Sequence, residues 1–160
     1  MFIESGSLGG GSFKSLNIII ESLDPKKYNI FIISLNQTIF DYDFTKYSVK
    51  YYCINDLLYS RSNYSYYFFQ FFIYLINSFF KRFYLKSIRI IQRKTIKKIK
   101  DIITKHKIDI VHLNNNPKRD LFAIVASEYF NKVKFISFIR STRDINLDKK
   151  IIDYINNNIN

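Results

Sequence analysis

The chain has 160 residues, which is enough for one domain with a hydrophobic core but not for two domains of ordinary size. Its formal net charge of +12 favours an anionic partner, such as a phospholipid surface, nucleic acid or a phosphorylated substrate. Cys53 is the only cysteine, which excludes an internal disulfide, and the first residues lack the basic and apolar segments of a signal peptide. We therefore expect a cytoplasmic protein.

The first half of the chain alternates short apolar runs with amphipathic stretches. A short strand over Phe2–Glu4 precedes a glycine-rich loop and a helix from Ser12 to about Leu23, whose apolar residues recur at helical spacing. Two further runs predict strands, the first buried and the second weaker and nearer a sheet edge: Tyr28–Leu35 and Val49–Ile54.

The second half begins with a long helical stretch. Residues Asn63–Lys107 contain neither Gly nor Pro and predict two helices with a break near Leu85–Ser87. Within this stretch, residues 66–80 are apolar but too few for a membrane span, which needs about 20 residues. The remaining elements follow in order: a strand over Ile108–Leu113, a turn at Asn114–Pro117, a helix to about Phe130, a strand over Val133–Ile139 and a helical tail.

Strands that are nearly continuous in apolar residues and alternate with helices indicate a parallel sheet covered on both faces. Right-handed crossovers leave few arrangements for such a chain. We therefore predict an α/β fold with a doubly wound, Rossmann-like parallel sheet, formed by residues 1–160 as a single domain.

All four glycines lie between positions 6 and 11, in the loop after the first predicted strand. Glycine permits a positive φ and lets a ligand approach the backbone, and the N-terminus of the following helix attracts anions. We therefore predict a phosphate site at Gly9, Gly10, Gly11 and Ser12. The alternative is a tight turn without a ligand. Neither the Walker A loop nor the dinucleotide fingerprint fits, because Ser12 and Lys14 replace the residues that these motifs require.

The fourth and fifth predicted strands end in polar residues. In a doubly wound sheet the first and fourth strands are neighbours, which brings the glycine loop close to His112, Asn114 and Asn115. His112 is a candidate catalytic base or hydrogen-bond donor, with a core histidine as the alternative. Arg140 and Arg143 follow the fifth strand and are candidates for holding phosphates. His106 is predicted to be solvated, and two distant histidines with one cysteine predict no metal site.

Three segments of the sequence resemble the N-terminal domain of retaining glycosyltransferases with the GT-B fold, of the family 4 (group 1) type: SGSLGGGSFKSLNIIIESLDPKKYNIFIISL, KHKIDIVHLNN and VKFISFIRSTRD. The resemblance implies that Gly10 and Gly11 lie against the diphosphate of a nucleotide sugar. It also implies that the His112–Asn114 region lines the pocket for the donor sugar and the acceptor, with no cofactor or metal. Members of the family often have a second histidine where this chain has Asn114.

The family binds most of its donor in a C-terminal domain with a Glu-x7-Glu motif, which this sequence does not contain. By this resemblance the chain is one half of a GT-B enzyme, apparently truncated, and inactive without the second domain.

The second long helix is amphipathic and strongly basic. Between Lys81 and Lys107 there are eleven Lys and Arg residues and one acid, Asp101. Isoleucines at helical spacing share one side, and the opposite side carries Arg89, Arg93, Lys94, Lys97, Lys98 and Lys100. An anionic membrane would attract this basic face by about 1 kcal/mol for each basic residue near the surface. The alternative is a solvated face.

The resemblance implies that the chain is the acceptor-side domain of a glycosyltransferase that transfers a sugar from a nucleotide-diphosphate sugar to a cell-envelope glycan or a lipid-linked acceptor. The basic face adds a peripheral position on the inner face of the plasma membrane. The alternative is a non-catalytic module that binds nucleic acid or another anion through the basic helix. Nucleic acid is the weaker candidate, because no known nucleic-acid-binding motif accompanies the helix and the glycines stay unexplained.

Overall fold

The computed structural model describes residues 1–5, 10–35, 47–54, 84–115, 120–137 and 149–158. These residues form five strands, namely β1 (Phe2–Glu4), β2 (Phe31–Ser34), β3 (Lys50–Cys53), β4 (Ile110–Leu113) and β5 (Lys134–Ser137). They also form five helices, namely α1 (Gly11–Ser22), α2 (Tyr84–Ile91), α3 (Arg93–His106), α4 (Leu121–Ser127) and α5 (Lys149–Asn158).

The five strands form one parallel sheet in the order β3-β2-β1-β4-β5, which confirms the predicted doubly wound α/β fold. The shortest strand, β1, is central: Phe2 pairs with Ile32 of β2 on one side and with His112 of β4 on the other. The chain reverses its direction of winding between β1 and β4, so the switch point lies at their carboxyl ends. As predicted, β3 is at an edge of the sheet.

The core lies on both faces of the sheet because successive residues of a strand point to opposite sides. Phe2 packs with α1, whose buried residues Phe13, Leu16 and Ile20 recur at helical spacing. The next residue, Ile3, belongs to the larger cluster on the other face. That cluster includes α4, all of which is buried, and the buried side of α3.

The break in the long helical stretch lies at Gln92, so the prediction of a break near Leu85–Ser87 is wrong. Gln92 has φ −99° and ψ 17°, which lies outside the helical region. Its N–H still donates to the Ile88 carbonyl oxygen, and its own carbonyl oxygen accepts from the Ile96 N–H, both at 2.9 Å. Neither Gly nor Pro marks this position. The break falls between a helix packed on the core, α3, and the end of α2, where Ile90 is 67% exposed.

None of the helices in the described part of the chain is both long enough and apolar enough to cross a bilayer. The predicted first long helix lies mostly outside the described residues.

Candidate functional site

Polar residues meet at the carboxyl ends of β1 and β4. Glu4 is the last residue of β1 and Ser5 follows it, while Asn114 and Asn115 follow β4. Neighbouring parallel strands end at the same edge of a sheet, and the first turn of α1 reaches this edge as well. We call this group the strand-end cluster: Glu4, Ser5, Ser12, Asn114, Asn115 and Asp120.

The Glu4 carboxylate is the centre of the cluster and is fully buried. Its Oε1 accepts hydrogen bonds from Ser12 Oγ at 3.1 Å and from Asn115 Nδ2 at 2.5 Å. Its Oε2 accepts one from Asn114 Nδ2, which also donates to the Ser12 carbonyl oxygen at 2.8 Å. A buried carboxylate needs such donors because it has lost its water. Glu4 thereby ties the exit of β4 to the start of α1.

A second buried acid, Asp120, holds the other side of the cluster just before α4. Its Oδ1 accepts a hydrogen bond from Ser5 Oγ at 2.8 Å, and its Oδ2 accepts one from the Asn115 N–H at 3.1 Å. Asp120 is fully buried and Ser5 is 4% exposed. The backbone after β1 and the backbone after β4 are therefore fixed relative to each other by side chains.

The described part of the glycine loop lies at the start of α1, where the N-cap residue is Gly10, which has no side chain to cap the helix. Gly10 has φ −69° and ψ 159°, which any residue can adopt, so a positive φ does not explain it. Gly11 is exposed and helical, and a Cβ added to it would meet no atom within 4 Å. The backbone conformation therefore does not require a glycine at position 10, and the packing does not require one at position 11.

His112 lies in β4 directly opposite Phe2 of β1, and the residue is buried, with 8% of its surface exposed. The His112 and Phe2 rings meet edge to face, with 5.2 Å between their centroids. Because Phe2 packs with α1, this contact puts His112 on the α1 side of the sheet. Its catalytic role stays a prediction.

The strand-end cluster contains three of the predicted site residues, Ser12, Asn114 and Asn115, and Gly10 and Gly11 directly precede Ser12 at the start of α1. Gly9, Arg140 and Arg143 lie outside the described residues.

His106 is half-buried, so its predicted solvation is wrong: its Nε2 lies 2.6 Å from Tyr52 Oη and its ring packs on Phe31. Sequence reasoning missed Glu4 and Ser5, and the one available signal was an acid at the end of an apolar strand, directly before the glycines.

The six basic residues predicted to face a membrane lie on α2 and α3. Five of them are exposed and Lys100 is half-buried. Four of the six, Arg89, Arg93, Lys97 and Lys100, line a groove against α4 and the Tyr129 side chain. Lys94 and Lys98 do not line that groove, and the positive charge of Lys98 acts on Cys53. The basic face is thus divided into two parts.

No group of His, Cys, Asp and Glu among the residues that the structure describes could hold a metal ion. Comparison of the chain with protein-family models, with curated protein sequences and with solved structures finds no significant match.

Proposed function

We propose that this chain is the N-terminal, acceptor-side domain of a glycosyltransferase that uses a nucleotide-diphosphate sugar. Its acceptor is a cell-envelope glycan or a lipid-linked sugar, and the domain acts together with a second, donor-binding domain. The observation that carries the proposal is the meeting of the start of α1, whose N-cap is Gly10, with the polar exit of β4, at the switch point of the sheet.

The start of α1 supports a role in binding a diphosphate. The first backbone N–H groups of a helix are donors, and its dipole favours an anion. Gly11 adds no side chain beside these donors, although an added Cβ would meet no atom within 4 Å. A glycine that the fold does not need is explained by a ligand that approaches the backbone closely.

The strand-end cluster supports a positioning role for Asn114 and Asn115. The Nδ2 atoms of both side chains donate to the buried Glu4 carboxylate, which fixes how the two amides are turned. Such pre-organisation is what a site for sugar hydroxyl groups needs. In this proposal His112 acts as the base or donor near the transferred sugar, and the basic residues of α2 and α3 hold the domain on an anionic inner membrane surface.

The proposal is tested by ligand binding, measured by nuclear magnetic resonance of the isotope-labelled chain at millimolar ligand concentrations. A panel of nucleotide-diphosphate sugars should shift the amide signals of Gly10, Gly11, Ser12, Asn114 and Asn115 in a saturable way. The matching nucleosides and free sugars should not. Shifts restricted to α2 and α3, produced equally by DNA or RNA, would instead identify an anion-binding module.

Gly11→Ala separates the demands of the ligand from those of the fold. We expect the free energy of unfolding to rise by about 0.4–1 kcal/mol, because alanine restricts the unfolded chain and meets no neighbour at this position. We expect binding of the nucleotide-diphosphate sugar to weaken several-fold. Ile18→Ala, an exposed position of the same helix, is the control and should leave binding unchanged. Equal binding by Gly11→Ala and the unaltered chain would contradict close approach at Gly11.

A further inference from the structure

The groove between α3 and α4 is a distinct feature of the surface. Its volume is about 380 Å³, and it is lined by Arg89, Arg93, Ile96, Lys97, Lys100, Asp101, Val125 and Tyr129. Ile96 and Val125 are buried and form an apolar floor, whereas Tyr129 is 55% exposed at the side. We call it the basic groove, because four cations and a single carboxylate line it.

Two of the four cations are already engaged by neighbouring groups. Arg89 Nη2 lies 2.6 Å from Glu128 Oε1, which also accepts a hydrogen bond from Tyr154 Oη at 2.6 Å. Lys100 Nζ lies over the Tyr129 ring, 3.3 Å from its centroid. Both contacts hold long side chains in place and so reduce the entropy that a ligand would have to remove.

The other two cations, Arg93 and Lys97, are one helical turn apart on α3 and therefore point to the same side. Both are exposed, and within the described part of the chain neither makes an ion pair. An arginine offers a planar pair of N–H donors that fits two oxygens of one phosphate, and a lysine adds a point charge beside it.

We infer that the basic groove binds a phosphate group, with Arg93 and Lys97 as its direct ligands and Arg89 and Lys100 as a surrounding positive field. The apolar floor suits a ligand in which the phosphate is attached to an apolar or ring-shaped part. The phosphate can come from a lipid headgroup or from a soluble phosphorylated compound. The groove shares no residue with the strand-end cluster, so this inference can fail while the nucleotide-sugar site holds. A lipid phosphate in the groove would deepen the membrane contact that is part of the proposed function.

The experiment compares two double variants of the full chain that remove the same charge from the same helix. Arg93→Gln with Lys97→Gln removes both direct ligands, whereas Lys94→Gln with Lys98→Gln removes two exposed cations outside the groove. The probes are pyrophosphate in solution, followed by nuclear magnetic resonance, and vesicles containing phosphatidylglycerol, followed by co-sedimentation. The ionic strength is kept fixed because exposed charges are screened by salt.

We expect the groove variant to bind at least one probe about tenfold more weakly, since two charge-assisted contacts are lost. The control variant should bind pyrophosphate within about twofold of the unaltered chain at the same ionic strength. It should lose less vesicle binding than the groove variant, because Lys94 and Lys98 belong to the proposed membrane face but do not line the groove. A loss with pyrophosphate alone assigns a soluble phosphate, a loss with vesicles alone assigns a lipid headgroup, and a loss with both assigns the phosphate group itself. Equal losses in both variants, or no binding of either probe by the unaltered chain, would overturn the inference.

Discussion

The strand-end cluster and the basic groove differ in where their polar groups lie, because the cluster buries most of them and the groove leaves most of them exposed. The strand-end cluster contains six residues from four separate parts of the sequence. Its two acids, Glu4 and Asp120, are both buried. The groove draws its four cations from a single stretch of twelve residues, Arg89 to Lys100, and leaves three of the four exposed. In the cluster, hydrogen bonds replace the water that burial removes, whereas the groove keeps its charges available to a partner.

This contrast indicates which residues determine the free energy of unfolding and which determine the affinity for a partner. A buried donor or acceptor that loses its partner costs about 1–3 kcal/mol, whereas an exposed ion pair contributes about 0.2–1 kcal/mol. Substitutions in the strand-end cluster should therefore change the free energy of unfolding, and substitutions in the basic groove should mainly change affinity. Four predictions test this contrast and its electrostatic basis.

The largest effect is expected for Glu4→Ala. The change leaves the buried Nδ2 groups of Asn114 and Asn115 without their common acceptor, and we expect the free energy of unfolding to fall by about 2–5 kcal/mol. Urea denaturation followed by circular dichroism measures it. Glu4→Gln keeps one acceptor oxygen and should lose about half as much.

Glu21→Ala is the matched control for Glu4→Ala, because Glu21 accepts a hydrogen bond from Tyr47 Oη at 2.5 Å on the exposed side of α1. We expect its cost to stay below about 1 kcal/mol. If both alanine variants were destabilised equally, the strand-end cluster would not be the structural centre that its burial indicates.

Features that depend on local sequence patterns could be predicted from the sequence. Apolar runs between amphipathic stretches predict the parallel sheet and the neighbouring positions of β1 and β4. The neighbouring positions of these strands in turn predict that the start of α1 lies close to Asn114 and Asn115. The basic face is equally visible, because its charges are contiguous and helical periodicity places them. Both are local patterns combined with one general rule of topology.

What the sequence does not reveal depends on contacts between distant residues. The local sequence shows Glu4 only as an acid at the end of an apolar strand, because the donors that define its role come from positions 12, 114 and 115. His106 is half-buried only because the end of α3 reaches Tyr52 and Phe31 of the sheet. The break at Gln92 lacks a Gly or Pro, and the division of the basic face into groove and non-groove residues is decided by where α4 packs.

A smaller effect is expected for the ion pair between Arg89 and Glu128 at the edge of the basic groove. Their side chains are 43% and 27% exposed, so we expect a coupling free energy of about 0.2–1 kcal/mol. A double-mutant cycle with Arg89→Ala and Glu128→Ala measures it, and added salt should reduce it. A coupling as large as the loss from Glu4→Ala would remove the distinction between the two regions.

The smallest effect concerns Cys53, at the end of the edge strand β3. Burial raises the pKa of its thiol, and the positive charge of Lys98 acts in the opposite direction. The folded chain therefore holds the thiol proton more tightly than the unfolded chain. As the pH rises above the ordinary thiol pKa of about 8.5, the Cys53 thiol should lower the free energy of unfolding. The same shift keeps the reactive thiolate scarce near neutral pH.

Cys53 also reports whether the exposed cations of α3 act beyond their own helix. Lys98→Gln should raise the thiol pKa further and slow its reaction with a disulfide reagent at pH 8 by about twofold or less, since the pair lies near the surface. Lys97→Gln, on the groove side of the same helix, should leave the rate unchanged. The difference should vanish at high salt, because only a screened field connects Lys98 to the thiol. If Lys97→Gln slowed the reaction as much as Lys98→Gln, the two parts of the basic face would act as one field, and the groove would lose its electrostatic separation from the rest of the helix.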